Sequence, residues 1–381
     1  MQRPVLVAAA ALSTLLFFYL FTFGERKPWL FLIGIGMGVA LYHAAFGFTG
    51  AYRRAILQRD ISGVTAQMVM LAAAMVLFAP VLAAGQIFGH GVTGAVAPVS
   101  ISMAFGALIF GIGMQTGGAC ASGTLFTVGG GNLRMLLVLV FFCVGTFWAS
   151  LDMQWWTSLP GLGAVSLADK VGNWQAVALQ IAALALIYGF LRLTGGRNKR
   201  ALWWQQGFSW RRLLRGPWPL LLGAGALAML NWLTLLVAGH PWSVTWGFTL
   251  WGAKAAMLLG WDPTTSAFWS GSFAQGALAR SLLADTTSLM NFGIVIGALL
   301  AAALAGALRF SVRLSWLSLT AAVAGGLLLG YGARLAYGCN IGAFFSGVAS
   351  TSLHGWVWIL AAVLGNAIGV RLRPLFRLAG D

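Results

Sequence analysis

Two cysteines, Cys120 and Cys339, stand in glycine-rich breaks between apolar segments, and the passages around them repeat. The first reads AFGALIFGIGMQTGGACASGT from Ala104 and the second VAGGLLLGYGARLAYGCNIGA from Val323. Set without gaps at an offset of 219 residues, they place Gly106 on Gly325, Gly111 on Gly330, Gly113 on Gly332, Cys120 on Cys339 and Gly123 on Gly342. A thiol is a weak hydrogen-bond donor, a polarizable contact and, once deprotonated, a nucleophile. In a wall with few full charges, two thiols pass along a soft, sulfur-bearing anion without holding it tightly, as conduction through successive weak sites requires. A single buried cysteine is usually a small hydrophobe. Cys143, in Phe142-Cys143-Val144 and without a partner in the repeat, is read that way.

The residues beside the cysteines suit the same task. Gly117-Gly118-Ala119-Cys120-Ala121-Ser122-Gly123-Thr124 is too rich in glycine for a comfortable helix, each interior glycine costing about 0.5–1 kcal/mol relative to alanine. A break of this kind frees backbone N–H groups, and the positive end of the half-helix that follows favours an anion. Gly338-Cys339-Asn340-Ile341-Gly342 offers the same backbone with an amide side chain beside it. A lone glycine pair would more simply allow close helix packing; the matched register argues for more. Few ionisable side chains fall in apolar sequence, where charge is expensive and marks function by default. Lys254, Arg334, Arg280 and Asp285 are these, and Arg334, five residues before Cys339, and Lys254 are candidates for an entrance that attracts anions. Snorkelling to the interface is the competing role for both. His43, His90, His240 and His354 sit near segment ends as satisfied interfacial histidines.

These residues need a membrane framework, and the composition supplies one. Sixty per cent of the chain is hydrophobic, 8% is charged, and the mean hydropathy is +0.86, far from a soluble domain in which about a quarter of residues are charged. Stretches near 4–23, 29–50, 63–84, 99–116, 133–151, 172–193, 217–238, 288–307, 314–334 and 355–371 are long enough to cross a bilayer core, which takes about 20 helical residues. Those near 243–260 and 266–284 are shorter or more interrupted. Segment 4–23 is followed by Glu25-Arg26-Lys27 rather than a small-residue cleavage site, so it is read as a membrane helix and not a signal peptide. Most of the 18 tryptophans belong to belts at the membrane surface.

The net charge of +16 does not point to nucleic acid, because the basic residues lie between apolar segments and not on one polar face. They set topology. Arg192, Arg197, Lys199, Arg200, Arg211, Arg212 and Arg215 mark a cytoplasmic loop by the positive-inside bias and divide the chain into a first membrane repeat, 1–196, a basic connector, 197–216, and a second repeat, 217–381. If Arg53, Arg54 and Arg59, the connector, Arg309 with Arg313, and Arg371 to Arg377 are all cytoplasmic, an even number of crossings separates each pair of clusters. The chain then reaches the Cys120 break on arriving at the cytoplasmic side and the Cys339 break on arriving at the outer side. The expectation is an all-α polytopic protein of two inverted-topology repeats with re-entrant or broken helices at the midplane. A fainter echo, Phe46-Gly47-Phe48-Thr49-Gly50 against Trp246-Gly247-Phe248-Thr249, precedes the cysteine passage in both halves and reads as a second pair of breaks.

At these passages the chain resembles the YeeE/YedE family of prokaryotic membrane proteins, the sulfur transport family, and its YedE branch most. Gly118-Ala119-Cys120-Ala121-Ser122-Gly123-Thr124, Gly338-Cys339-Asn340-Ile341-Gly342 and Ser352-Leu353-His354-Gly355-Trp356 are similar to the family's signatures. The resemblance implies a helical pseudo-two-fold fold, constricted near its middle, in which cysteines pass thiosulfate through transient S–H contacts. It also implies a small cytoplasmic sulfurtransferase of the TusA type as partner. One departure stands out. The family's thiosulfate transporters carry a third pore cysteine in a Phe-Cys-x-Thr-Gly pattern, and here Gly47 takes that place, with Thr49 following in the motif; both join Arg334 and Lys254 as candidates for the entrance.

The sequence thus predicts an importer of a small sulfur-containing anion, thiosulfate first, in the inner membrane of a prokaryote, with no enzymatic activity. Cys120 and Cys339 contact the ion, and Gly118, Ser122, Gly123, Thr124, Gly338, Asn340 and Gly342 complete the constriction. No nucleotide-binding loop, cofactor motif or Cys/His zinc spacing is present. Another sulfur or selenium species is the alternative cargo. A membrane thiol enzyme, or an electron carrier with haem between histidines, are the readings from other classes.

Overall fold

The computed structural model describes residues 1–205, 207–310 and 315–378; Arg313, one of the topology markers, lies outside them. The first half comprises α1 (Arg3–Tyr19), α2 (Lys27–His43), α3 (Phe48–Gln58), α4 (Ser62–Ala84), α5 (Ile101–Gly117), α6 (Ala121–Gly129), α7 (Leu133–Leu151), the short α8 (Met153–Thr157) and α9 (Leu167–Val171), and α10 (Asn173–Leu193). A short α11 (Trp210–Arg215) lies in the basic connector. The second half holds α12 (Leu220–Ala238), α13 (Thr245–Leu258), α14 (Ser272–Ala279), α15 (Thr286–Ala305) and α16 (Trp316–Leu335). A π-helical turn, Asn340–Phe345, then runs into α17 (Ser346–Ala349), and α18 (Leu353–Leu372) follows. Two small antiparallel pairs, β1 (Gln86–Ile87) with β2 (His90–Gly91) and β3 (Pro98–Ser100) with β4 (Gly161–Ala164), are the named strands among the described residues.

Ten helical stretches among the described residues are long and apolar enough to cross a membrane, and they coincide with the segments expected from hydropathy. The protein is an all-α polytopic membrane protein. The interrupted region 243–284 resolves into the 14-residue α13 and the 8-residue α14. Helix starts follow from polar caps: the side chains of Ser100, Asn132, Asp285 and Ser315 accept N–H bonds at the first turns of α5, α7, α15 and α16, each worth about 1 kcal/mol. Leu186, Phe190 and Leu193 of α10, and Leu12, Leu15 and Phe18 of α1, are exposed, which is the pattern of a lipid-facing surface.

Packing between the halves is reciprocal. Helix α2 packs on α15 and α12 on α4, while α5 packs on α18 and α16 on α7. At the centre α5 meets α16 antiparallel: a Cβ on Gly106 would lie 2.6 Å from the Leu335 Cβ, one on Gly113 2.7 Å from the Leu329 nitrogen, and one on Gly325 would run into the Gly117 nitrogen. The repeated glycines of the two passages therefore let backbones touch, as small residues do in membrane bundles. They are the packing half of the motif, distinct from the residues at the break.

One end of the bundle is basic. The connector is fastened there to the turn between α3 and α4: the Arg197 N–H donates to the Arg59 carbonyl, the Ile61 N–H to the Arg197 carbonyl, and the Lys199 N–H to Asp60 Oδ1 at 3.2 Å. Asp60 also accepts from the Ser62 N–H and hydroxyl, and Arg54 lies 3.9 Å from its carboxylate. Burial pushes the Asp60 carboxyl up, but these hydrogen bonds and the Arg54 charge outweigh it and hold the group below the ordinary carboxylate range.

Candidate functional site

Both cysteines occupy the same structural position. Cys120 (φ −88°, ψ −174°) and Cys339 (φ −107°, ψ −164°) are extended residues at the N-caps of the helical pieces that follow. Each sulfur accepts a bond from the new helix, from the Gly123 N–H to Cys120 Sγ at 3.4 Å and from the Ile341 N–H to Cys339 Sγ at 3.4 Å. Thiols thus do the work that serine or aspartate does at ordinary caps, at the positive end of a half-helix. Two residues earlier in each passage the backbone is left-handed: Gly118 has φ +94° and its repeat partner Tyr337 has φ +57°. Glycine adopts this turn freely, whereas a bulky residue is a genuine outlier there. Tyr337 holding it preserves the geometry of the break.

The copies differ beyond the cap. The first continues as α6, with the Thr124 hydroxyl donating to the Cys120 carbonyl at 2.8 Å and the Ser122 hydroxyl 3.5 Å from Cys120 Sγ. In the second, both the Ala343 and Phe344 N–H groups reach the Cys339 carbonyl, which makes the turn π-helical. Gly338, at φ +149°, is the added swivel before it. A Cβ on Gly123 would lie 3.3 Å from Cys120 Sγ and 3.2 Å from the Ala119 Cβ, whereas one on Gly342 meets only Ser243, at 3.5 Å.

The two sulfurs are near enough for a charge on one to be felt by the other. Both cysteines are sealed, with 1% and 0% of their surface exposed. Tyr52 of α3, which sequence reasoning did not single out, joins the two halves here. Its hydroxyl accepts from Asn340 Nδ2 at 3.4 Å, and it lies in electrostatic range of Cys120. The Phe48 N–H, one residue after Gly47, is directed at Cys120 Sγ. Gly47 itself is half-buried and has room: a Cβ there would find only the Ala45 carbonyl, at 4.0 Å. Thr49 is buried with its hydroxyl unpartnered, and its carbonyl accepts from Gln115 Nε2, which also binds Asn366 Oδ1 at 2.7 Å. Of the first-half motif it is the Phe48 N–H that reaches Cys120, while Thr49 turns to Gln115.

The cations fall elsewhere. The Lys254 ammonium donates to the carbonyls of Leu278 at 2.6 Å and Arg280 at 2.8 Å, so it ties α13 to the end of α14 and does not join the cysteines. Arg334, at the last turn of α16, lies with its guanidinium 4.9 Å from the Phe268 ring centroid. Four arginines outside the candidate set gather towards the basic end. Arg53, Arg54 and Arg373 share one electrostatic neighbourhood and Arg134 joins through Arg373. Arg134 donates to the Gly117 carbonyl at 2.6 Å and the Thr116 carbonyl at 3.1 Å, closing the end of α5 at the Cys120 break. These residues served in the sequence only as topology markers or passed unremarked; Arg134, two residues after Asn132, had no motif to flag it.

The histidines are not all satisfied interfacial residues: His43 and His354 are buried, and His43 Nε2 and both ring nitrogens of His90 lack a hydrogen-bond partner among the described residues. His43 packs on Trp218 at 5.5 Å and His354 Nδ1 lies 2.6 Å from the Ser352 hydroxyl. Among the described residues no group of three or more His, Cys, Asp or Glu side chains is arranged to hold a metal.

The chain is 27% identical over 356 residues to the thiosulfate transporter TsuA of Spirochaeta thermophila, covering 88% of this chain and 95% of that protein. It is 33% identical over 178 residues to the probable transporter YedE of Escherichia coli K12, covering 46% of this chain. Against the YedE relatives it spans less than half of their length, 43% and 41%. Residues 43–368, which include both cysteine breaks and the Gly47 motif, match the sulphur transport family, and the chain belongs to it.

Proposed function

We propose that this protein imports a small sulfur-containing anion, thiosulfate in the first place, across the inner membrane of a prokaryote, with the basic end of the bundle facing the cytoplasm. The observation that carries the reading is the pair of cysteine N-caps, facing the interior at the ends of two antiparallel repeat helices and bridged by Tyr52 and Asn340. Each thiol already accepts an N–H bond, which polarises its S–H outward and makes it a better donor to a soft anion. An arriving anion takes an S–H contact at Cys339, supported by Asn340, then one at Cys120, supported by Ser122 and the Phe48 N–H. Contacts of this kind are weak enough to be left again. Because both thiols are sealed, passage requires the constriction around Tyr52 to part.

The two halves are inverted-topology repeats in this reading, each contributing one thiol. With Gly47 in place of a third cysteine, the relay has two sulfur stations and a backbone step at Phe48. The arginines at the basic end receive the anion on the cytoplasmic side, where a small sulfurtransferase of the TusA type would take it up. Growth of a sulfate-uptake-deficient bacterium on thiosulfate tests the reading. Wild type should support growth, and Cys120→Ala and Cys339→Ala, at equal membrane levels, should abolish it. A well-inserted wild type that supports no growth removes thiosulfate as the cargo.

A further inference from the structure

Arg334 is a cation without a counter-ion. Its Nε is buried with no hydrogen-bond partner, and the guanidinium forms no hydrogen bond or ion pair with any described residue. It lies over the face of Phe268, at 4.9 Å from the ring centroid, with Tyr337 in electrostatic range. A guanidinium carries five donors in a planar fork that matches oxyanions, and leaving it unpaired in a low-dielectric setting is unfavourable unless a partner arrives. The Asp152 carboxylate, on the same end of the bundle, is engaged by the Tyr331 hydroxyl at 2.8 Å. Among the described residues no carboxylate forms an ion pair with Arg334.

Its place is informative. Arg334 ends α16, the helix that runs from the basic end towards the opposite end, and Cys339 follows after one turn of chain in which the Gly338 N–H bonds back to the Ala333 carbonyl. Phe268 comes from the segment between α13 and α14. That segment has its own small core, in which Trp269, fully buried, donates to the Ser150 hydroxyl at 2.8 Å and stacks with Trp246. Phe268 itself is half-buried, 5.3 Å from the Trp269 ring. The backbone of this segment is anchored by Trp269, while the neighbouring ring covers the cation from outside the anchor.

We infer that Arg334 is the outer-side receiving site for an oxyanion, and that Phe268 is its removable cover. The cation–π contact holds the guanidinium in place while the site is empty; an arriving anion takes the donors and displaces the ring, delivering the ion one turn from Cys339. This rests on the proposed direction of transport past Cys339, and it adds a specificity element that neither cysteine supplies. A planar fork engages two oxygens of one anion, so it selects oxyanions over neutral sulfur species.

Equilibrium binding of thiosulfate to the purified full-length protein, followed calorimetrically beside uptake by proteoliposomes, tests the inference. Arg334→Gln should weaken binding at least about 10-fold, since a charged hydrogen-bonded partner is lost, and Arg334→Lys should recover part of it. Phe268→Leu should tighten binding about 3-fold or more by removing the competing ring. Cys339→Ala should impair uptake and weaken this binding less than Arg334→Gln does. If Arg334→Gln and Phe268→Leu both bind as wild type does, the inference is overturned, whatever the uptake. If wild type binds no thiosulfate, it is overturned as well. Arg334-dependent binding without any uptake keeps the receiving site and removes the proposed import instead.

Discussion

The Asn340 amide, one residue after Cys339, donates to the hydroxyl of Tyr52 at 3.4 Å, so a side chain of the second cysteine passage is held by a side chain that approaches Cys120 from the first half. This one contact bridges the two cysteine breaks. Tyr52→Phe removes the bridge and leaves the buried amide without its partner, at a cost of about 1–3 kcal/mol for an unmade buried bond. Uptake should fall several-fold with unchanged insertion. A double-mutant cycle with Asn340→Ala should give a clear coupling energy. Strict additivity of the two losses would mean that the contact has no part in transport.

Gly47 stands where thiosulfate transporters of the family carry a cysteine, and the space there is open. Its φ of −102° suits any residue, and the nearest atom to an added Cβ is a carbonyl at 4.0 Å. Gly47→Cys should therefore insert and fold as wild type, and it should raise thiosulfate uptake by placing a third thiol beside the Phe48 N–H. Gly47→Ala, equally tolerated, should leave uptake unchanged. Equal uptake by the cysteine and alanine variants would show that the missing thiol does not limit the flux.

The paired glycines Gly123 and Gly342 share a register but not an environment. An alanine methyl at 123 would press on Cys120 Sγ at 3.3 Å and on Ala119, which must give by tenths of an ångström in a sealed wall. At 342 the methyl meets the Ser243 side chain at an ordinary 3.5 Å. Gly123→Ala should then reduce uptake strongly and destabilise by about 1–3 kcal/mol, the range for overpacking, whereas Gly342→Ala should pass nearly unnoticed. Comparison of the two variants in thermal unfolding and uptake decides the point.

Helix α5 ends at the break with two carbonyls in the hands of one side chain, Arg134, which also donates Nε to the Ser318 hydroxyl at 2.9 Å. Arg134→Met keeps the apolar stem and drops all three bonds. Bonds from a charged donor are worth about 1.5–3 kcal/mol each when truly lost. The melting temperature should fall by several degrees, and alkylation of Cys120 by a membrane-permeant reagent should speed up as the break loosens. A variant as slow to alkylate as wild type would assign Arg134 to topology alone.

How much of the molecule is legible in the sequence depends on periodicity and repetition. The membrane spans are, because a run of about 20 apolar residues matches the thickness of a bilayer core and exceeds what a buried strand or core helix needs, and the structure returns them almost segment by segment. The caps at Cys120 and Cys339 are legible as breaks, because a repeated glycine–cysteine register is visible without coordinates. Tyr52 and Arg134 are not. A tyrosine one turn into a short helix and an arginine after an asparagine have no signature, since their roles arise only when α3 meets the second half and α7 folds back on α5. Lys254 is a different case: an isolated intramembrane cation is a functional candidate by default, but its hydrogen-bond partners here are two carbonyls at the end of α14, 24 and 26 residues away, and carbonyl acceptors leave no trace in the sequence.

Asp60 gives a prediction in pH. Its carboxylate receives the Ser62 and Lys199 N–H groups and the Ser62 hydroxyl, with Arg54 beside it, and these lower it below its ordinary value of 3.8 in spite of burial. A group lowered on folding stabilises the folded form above its unfolded value and loses that contribution as pH falls through the folded one. The fastening of the connector to the α3–α4 turn should therefore hold from neutral pH down to about 4 and weaken below. Asp60→Asn should remove the acid-sensitive part and loosen the connector at pH 7 as well, because the three hydrogen bonds to Oδ1 lose the carboxylate's charge and an amide nitrogen in the place of Oδ2 would face Arg54. Limited proteolysis in the 197–216 connector of detergent-purified protein, at pH 7 and at pH 3.5 with an acid-active protease as control, reads this directly. Cleavage of wild type should rise on acidification while that of Asp60→Asn is already raised and nearly flat. A wild-type cleavage rate that does not change with pH would detach the connector from Asp60.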